Sequence, residues 1–300
     1  MNLAQQFAGS RADLPTNLGT AELRKLGNDV LRQSLFSARM SNADAVQALR
    51  SAVETALKES NVSYARLALK KIGAQLGYTP EAGFPGDTGM PPAEPGSRLD
   101  LFSTDRLNFI LQTHQEMCRG AAKNIWGNDP DTLDQYPAWE LIRVAAVDVP
   151  RGQIRRGKGV LEPDPENAWD TDNGRWQAAL AAAGDDEAQK IFDDTGRMVA
   201  RKDSGVWESL GDGAGGYDDA LGNDYEPFAF NSGMGRVQVA REDYIALGGS
   251  VDDLAPAGTD FGSGQVKLNE SRFDPDLLKM LSSQLASGDS KFSVHVEVVK

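Results

Sequence analysis

Histidine and cysteine are scarce in this 300-residue chain: His114, His295 and Cys118 are the complete set. Nucleophilic catalysis through imidazole needs an accessible ring beside a serine or cysteine. His114 and Cys118 stand four positions apart, a spacing at which two side chains on one helix meet. Their setting is an apolar stripe, which predicts a packed core histidine and a buried cysteine acting as a small hydrophobe. His295 alternates with the valines of the closing segment and faces away from them. No G-x-S-x-G elbow occurs. Gly211, Gly213 and Gly216 satisfy G-x-G-x-x-G, but a helical pattern precedes them and acidic residues follow. A dinucleotide site needs a strand before that motif and a helix N-terminus after it.

Two acidic stretches invite a metal reading. Asp170, Asp172 and Gly174 begin like a calcium loop, yet glycine holds the third ligand position and Ala181 stands where the closing glutamate belongs. Asp212, Asp218, Asp219 and Asp224 lie on a glycine-rich stretch that reads as a solvated loop, with weak cation binding as the alternative. One basic cluster remains. Arg151, Arg155, Arg156 and Lys158 are interleaved with glycines, and flexible backbone lets such side chains reach nucleic-acid phosphates. The plainer reading is an exposed loop neutralised by acidic neighbours. No catalytic, metal-binding or cofactor-binding constellation emerges, and no cofactor is expected.

The elements that position these residues are mostly helical in the first third. Val46, Leu49, Val53 and Leu57 predict a helix over 42–58. Ala65, Leu69, Ile72 and Leu76 predict another from Val62, capped by Asn61 and ended by Gly77 and Pro80. Residues 80–98 hold five prolines and four glycines, which predicts a linker or extended arm and the main domain boundary. The strongest helix spans 104–126, with Leu107, Leu111, His114, Met117, Cys118 and Ala121 on one side and Ser103 or Thr104 as cap. A strand follows at 139–149, with Trp139, Leu141 and Arg143 alternating against Glu140, Ile142 and Val144. Loops are expected to 173, then helices near 175–183 and 186–192, a strand at 197–202, a helix at 204–210, an irregular stretch at 211–235 and a helix at 241–247. The chain closes with a helix capped by Asp274 and a half-buried strand at 291–300. The fold class is therefore α+β: a helical region at 1–79, the Pro/Gly stretch at 80–98, a mixed domain with short strands and many loops at 99–250, and a closing helix and strand at 251–300.

Composition excludes several classes. Charged residues make up 25% and hydrophobic residues 40%, ordinary values for a globular chain. No apolar run is long enough for a bilayer, and no secretory signal opens the sequence. One cysteine excludes an internal disulfide and fits a reducing compartment. The net charge of −13 is concentrated in the last two thirds, so any DNA contact must come from a local basic patch.

The long helix and its sequel resemble the phage head morphogenesis family, the Mu F-like minor head proteins. Arg106, Thr113, the small run Gly120–Ala121–Ala122 and Trp126 fall where that family has an arginine opening a helix, a hydroxylic residue, a small-residue turn and a tryptophan before a strand. Trp207 takes a later aromatic position, and Pro227, Phe230 and Asn231 resemble the family's proline–aromatic–asparagine turn. The resemblance covers roughly residues 100–245. The paired cysteines and the histidine of many members are missing, so no metal-supported core is implied. What it implies is a non-enzymatic minor head protein of a tailed bacteriophage. Such a protein is located in the virion head, assembled in the host cytoplasm, and partnered by portal and capsid subunits in an oligomeric particle. Packaged DNA would meet its basic loop. The other readings are a capsid, decoration or connector subunit, a toxin-like or hydrolytic enzyme domain, and a host-cell binding protein.

Overall fold

The computed structural model describes residues 2–23, 26, 28–59, 61–86, 91–145, 148–157, 159–230 and 232–254. In chain order the elements are α1 (Leu3–Ser10), β1 (Ala12–Asp13), α2 (Thr20–Leu23), α3 (Asn28–Gln33), β2 (Ser34–Leu35), α4 (Ala43–Glu59), α5 (Val62–Gln75), α6 (Thr104–Gly127), α7 (Pro130–Gln135), β3 (Ala138–Arg143), β4 (Gln153–Arg156), β5 (Val160–Pro163), α8 (Asp172–Ala183), α9 (Asp186–Thr195), β6 (Val199–Arg201), α10 (Val206–Asp212), β7 (Met234–Val239) and α11 (Arg241–Ala246). The architecture is α+β, with the strands in small separate sheets. The described residues fall into two compact units, one ending at Arg119 and one beginning at Gly120.

In the first unit, α4 buries the expected Val46, Leu49, Val53 and Leu57 and packs on α1 and α5. From its flank Arg50 donates to the Ala8 carbonyl at 2.6 Å, satisfying an orphan acceptor in the last turn of α1, and to Asp13 at 2.7 Å. Asn61 caps α5 by accepting from the Tyr64 N–H, and Gly77 ends it in the left-handed region at φ 76°. Ser103, rather than Thr104, supplies the cap of α6, accepting from the Arg106 N–H.

The Pro/Gly stretch does not run out as an arm over its described parts. Phe84 and Ala93 are buried, the Ala93 N–H donates to the Pro80 carbonyl at 2.8 Å, and Phe84 packs with Tyr78 and Phe102. The expected limits were 1–79, 80–98, 99–250 and 251–300; the two compact units meet within α6, between Arg119 and Gly120. Proline and glycine mark irregular backbone correctly, but one phenylalanine and one alanine suffice to fold that backbone onto the core.

In the second unit β3 is the centre of a three-stranded antiparallel sheet, ordered β6–β3–β7. The expected alternation holds. Trp139 and Leu141 face a core with Trp176, Leu180, Phe192, Val206, Trp207 and Phe228 from α8, α9, α10 and the following loop. Ala138, Val199 and Val239 face the opposite side with Tyr244 and Ile191. β3 stops at Arg143, short of the predicted 149. The stretch expected as loop up to 173 contains the β4–β5 hairpin, whose residues are almost all exposed. A ribbon that buries neither face carries no apolar alternation, so periodicity had nothing to detect. The closing helix and strand expected in 251–300 lie outside the described residues from 255 onward.

Candidate functional site

The densest arrangement of polar chemistry in the second unit surrounds Trp139. Arg236 of β7 stands opposite Leu141 of β3, on the sheet face that bears Trp139, and is 1% exposed. Each of its three nitrogens has a partner: Nε donates to Glu226 at 2.8 Å, Nη2 to the Asn124 side chain at 3.1 Å, and Nη1 to the Asp224 carbonyl at 3.3 Å. Its guanidinium lies 4.9 Å from the Trp139 ring, 5.4 Å from Trp207 and 5.6 Å from Phe228. Lys123 of α6 holds the other Glu226 oxygen at 2.7 Å and also donates to the Arg236 carbonyl. Burial pushes the Glu226 carboxyl up, but Arg236 and Lys123 outweigh it and hold the group below its ordinary value. Lys202 comes in from the end of β6, 4.4 Å from the same indole, and donates to the Gly127 carbonyl at 2.7 Å. Burial and the neighbouring Arg236 push its amine down to about 7, while the indole face and the α6 C-terminal carbonyl favour the charged form.

Two glycines let α6 close on this cluster. A Cβ at Gly120 would stand 1.7 Å from the Glu226 carbonyl oxygen, and one at Gly127 would stand 2.3 Å from the Trp139 ring. The cluster therefore binds α6, β3, β6, β7 and the 224–228 loop to one another. Its cations donate inward, to a carboxylate, an amide and backbone carbonyls. The indole nitrogens of Trp139 and Trp176 are buried without a partner.

A second network fixes the basic cluster. Arg175 of α8 grips Asp170 with two bonds, at 2.6 and 3.0 Å, and reaches Asp219 at 2.8 Å. Arg151 takes the other Asp219 oxygen at 2.6 Å and donates to the Phe230 carbonyl at 3.1 Å. The two arginines hold the Asp219 carboxyl below its ordinary value although burial pushes it up. Arg175 also lies 4.1 Å above the Tyr217 ring, against which Trp169 leans. Arg155 and Arg156 do not join Arg151. They sit on the exposed hairpin, point to opposite faces as neighbours on a strand must, and pair with Asp148 at 2.6 Å and Glu162 at 3.3 Å. Lys158 lies outside the described residues. Asp219, one of the four loop carboxylates considered for a cation, is thus committed to arginine, and Asp212 accepts from the Ala214 N–H. Among the described residues no group of three or more His, Cys, Asp or Glu is placed to hold a metal ion.

In the first unit His114 is buried on α6, as its apolar stripe predicts. Its Nδ1 faces Arg11 Nη1 at 2.9 Å and its Nε2 faces the Phe36 carbonyl at 2.9 Å. A guanidinium only donates, so Nδ1 is the acceptor and the ring is neutral with its proton on Nε2. Burial, with Arg11 beside it, pushes the imidazole down to about 3. Cys118 is buried too, and burial pushes its thiol up.

The positions that carried the family resemblance take different places. Arg106 anchors the approach to α6, donating to the Arg98, Leu99 and Ala38 carbonyls and to Ser37. Thr113 is half-buried on α6, and Trp126 is 57% exposed near its end. Trp207 is buried and its indole donates to the Arg201 carbonyl at 2.7 Å. Pro227 is buried after a cis bond from Glu226, and the Phe230 N–H donates to the Asp219 carbonyl. Asn231 lies outside the described residues. The residues that sequence reading missed are Arg236, Lys202, Lys123, Glu226 and Asn124. One signal existed: Arg236 takes an inward position of a short strand, where alternation calls for an apolar residue. No helix among the described residues is long and apolar enough to cross a membrane. No family model, curated protein or solved structure matches this chain.

Proposed function

We propose that this protein is a non-enzymatic structural component of a tailed-bacteriophage head, of the Mu F-like minor head type, acting in head assembly near the portal. The observation that carries the reading is that Trp207, one of the resemblance's positions, is a framework position of a packed module. Trp207 and Phe228 close with Trp139 around Arg236, and α6 approaches the Glu226 backbone and the Trp139 ring through Gly120 and Gly127. The ionisable groups gathered there engage one another, an arrangement that cements elements together. Portal and capsid subunits are the partners this role calls for, and assembly in the host cytoplasm would bring the protein into the virion. A part in genome packaging or ejection belongs to the same reading. Mass spectrometry of purified particles with stoichiometry tests the assignment. A minor head protein is found in few copies per particle. Absence from the particle removes the proposal, and a copy number matching the shell subunit replaces it with a capsid or decoration role.

A further inference from the structure

The chain leaves the sheet at Arg143, the last residue of β3, and returns at Asp172, the first residue of α8. An ion pair between these two residues closes the excursion at its base. A second closure lies above it, where Arg151 meets Asp219 and Arg175 holds both Asp170 and Asp219. Beyond these closures the β4–β5 ribbon pairs with no other strand among the described residues. Of the twelve large apolar side chains exposed among the described residues, five belong to this excursion: Val144, Val149, Val160, Leu161 and Trp169. Two of them, Val160 and Leu161, stand on the ribbon itself, a two-stranded element that is marginal by itself in water and leaves them uncovered.

Charge says what covers it. Residues 151–161 contain Arg151, Arg155, Arg156 and Lys158 and no acid. With the chain at −13, the four positive charges leave −17 on everything else. A tip of this sign complements the surface of another copy of the same chain. The present partners of Arg155 and Arg156, Asp148 and Glu162, are themselves 91% and 49% exposed. Exposed pairs of this kind hold weakly and exchange readily for other carboxylates. A nucleic acid is the poorer fit. The field of the remaining chain repels it, and apolar Val160 and Leu161 gain nothing from phosphate.

We propose that the β4–β5 ribbon is a self-association surface. A groove of a second copy of this chain takes both faces of the ribbon, Leu161 with Arg155 on one and Val160 with Arg156 on the other, the arginines bound to carboxylates of that copy. The contact joins two different surfaces, so repetition generates a ring or an open chain of copies rather than a closed two-fold dimer. This inference stands apart from the head-protein reading: self-association is measured on the isolated protein, and particle composition on the virion.

The test is sedimentation equilibrium of the full chain over a wide concentration range, at low and high salt. It compares the natural protein with the Arg155→Glu/Arg156→Glu double variant and with Leu161→Ser. The expected result is concentration-dependent association that weakens with salt and is at least tenfold weaker in both variants, with unchanged thermal melting. A natural protein that stays monomeric throughout overturns the proposal. So does association that both variants leave intact, because another surface then carries it. A labelled DNA duplex, run in parallel, decides the remaining case. Monomeric protein that retains the duplex, and loses it in the arginine variant, overturns self-association in favour of nucleic-acid binding.

Discussion

Replacing Arg236 by methionine would keep much of its volume among Trp139, Trp207 and Phe228 but leave Glu226 buried with Lys123 as its remaining ionic partner. Breaking a buried pair from one side is expected to cost about 3–5 kcal/mol. The double variant Arg236→Met/Glu226→Gln removes the stranded charge and should recover part of that loss. Urea unfolding of the three proteins measures both quantities, and an Arg236→Met cost within the error of a surface substitution would show that the cluster contributes little to stability. The same logic makes Arg236→Lys a severe change. A lysine cannot reach Glu226, Asn124 and the Asp224 carbonyl with one planar fork.

At the scale of elements, the close approach of α6 to the 224–228 loop depends on the absence of a single methyl group. Gly120→Ala places a Cβ 1.7 Å from the Glu226 carbonyl oxygen, backbone against backbone, so no side chain can move aside. The expected loss is about 3 kcal/mol or more, the range of large single-site effects. Gly9→Ala in α1 is the control. Its Cβ would meet nothing within 4 Å, so the change should be neutral or stabilise by up to about 1 kcal/mol through helix propensity. Comparable melting temperatures for the two variants would refute the packing argument. The excursion makes a separate prediction. Asp219→Asn weakens the hold on Arg151 and Arg175, so amides of 153–163 should exchange faster with solvent while those of β3 are unchanged. Equal exchange in both proteins would mean that the ion pairs do not restrain the ribbon.

The elements were legible in the sequence where one face is buried. The stripes of α4, α5 and α6, the Asn61 cap, the alternation of β3 and the buried state of His114 all follow from period and neighbours. What escaped has a common physical cause. The β4–β5 ribbon buries neither face, so it carries no period. The 80–98 stretch packs through Phe84 and Ala93, which composition outweighs. The Trp139 cluster assembles residues from α6, β6, β7 and a loop; Lys123 and Lys202 read locally as ordinary surface charges, and Arg236 alone stands at an inward strand position. The basic group at 151–158 was visible as residues but not as geometry. Arg151 is locked to Asp219, whereas Arg155 and Arg156 stand on the ribbon. Sequence spacing within one loop does not say which charges are already paired.

For the molecule as a whole, the shifted groups combine into one pH profile. His114 titrates near 3 in the fold against an ordinary value of 6.5, so below 6.5 the unfolded chain binds a proton that the native state refuses. Stability therefore falls as pH drops from 6.5 toward 3, by up to about 1.4 kcal/mol per pH unit for this one proton. Glu226 and Asp219, both held below their ordinary values, add to the loss as pH falls through the carboxylate range. Lys202 works on the other side of neutrality. Its amine, near 7 in the fold against 10.5 when unfolded, is bound by a proton only in the unfolded chain between those values, so stability rises with pH across that window. Tyr78 reverses the trend at the top. Burial pushes it up to about 12, so above 10 the unfolded chain loses a proton that the native state keeps, and stability falls. The maximum is thus expected near pH 10, where the Lys202 rise meets the Tyr78 fall, well away from the isoelectric point near 4.7. Two variants separate the contributions in melting experiments across pH. His114→Gln should flatten the acid limb by about one proton, and Lys202→Met should abolish the rise above neutrality. A natural protein most stable near pH 6, with Lys202→Met showing the same profile, would mean that Lys202 is charged in its place beside Trp139.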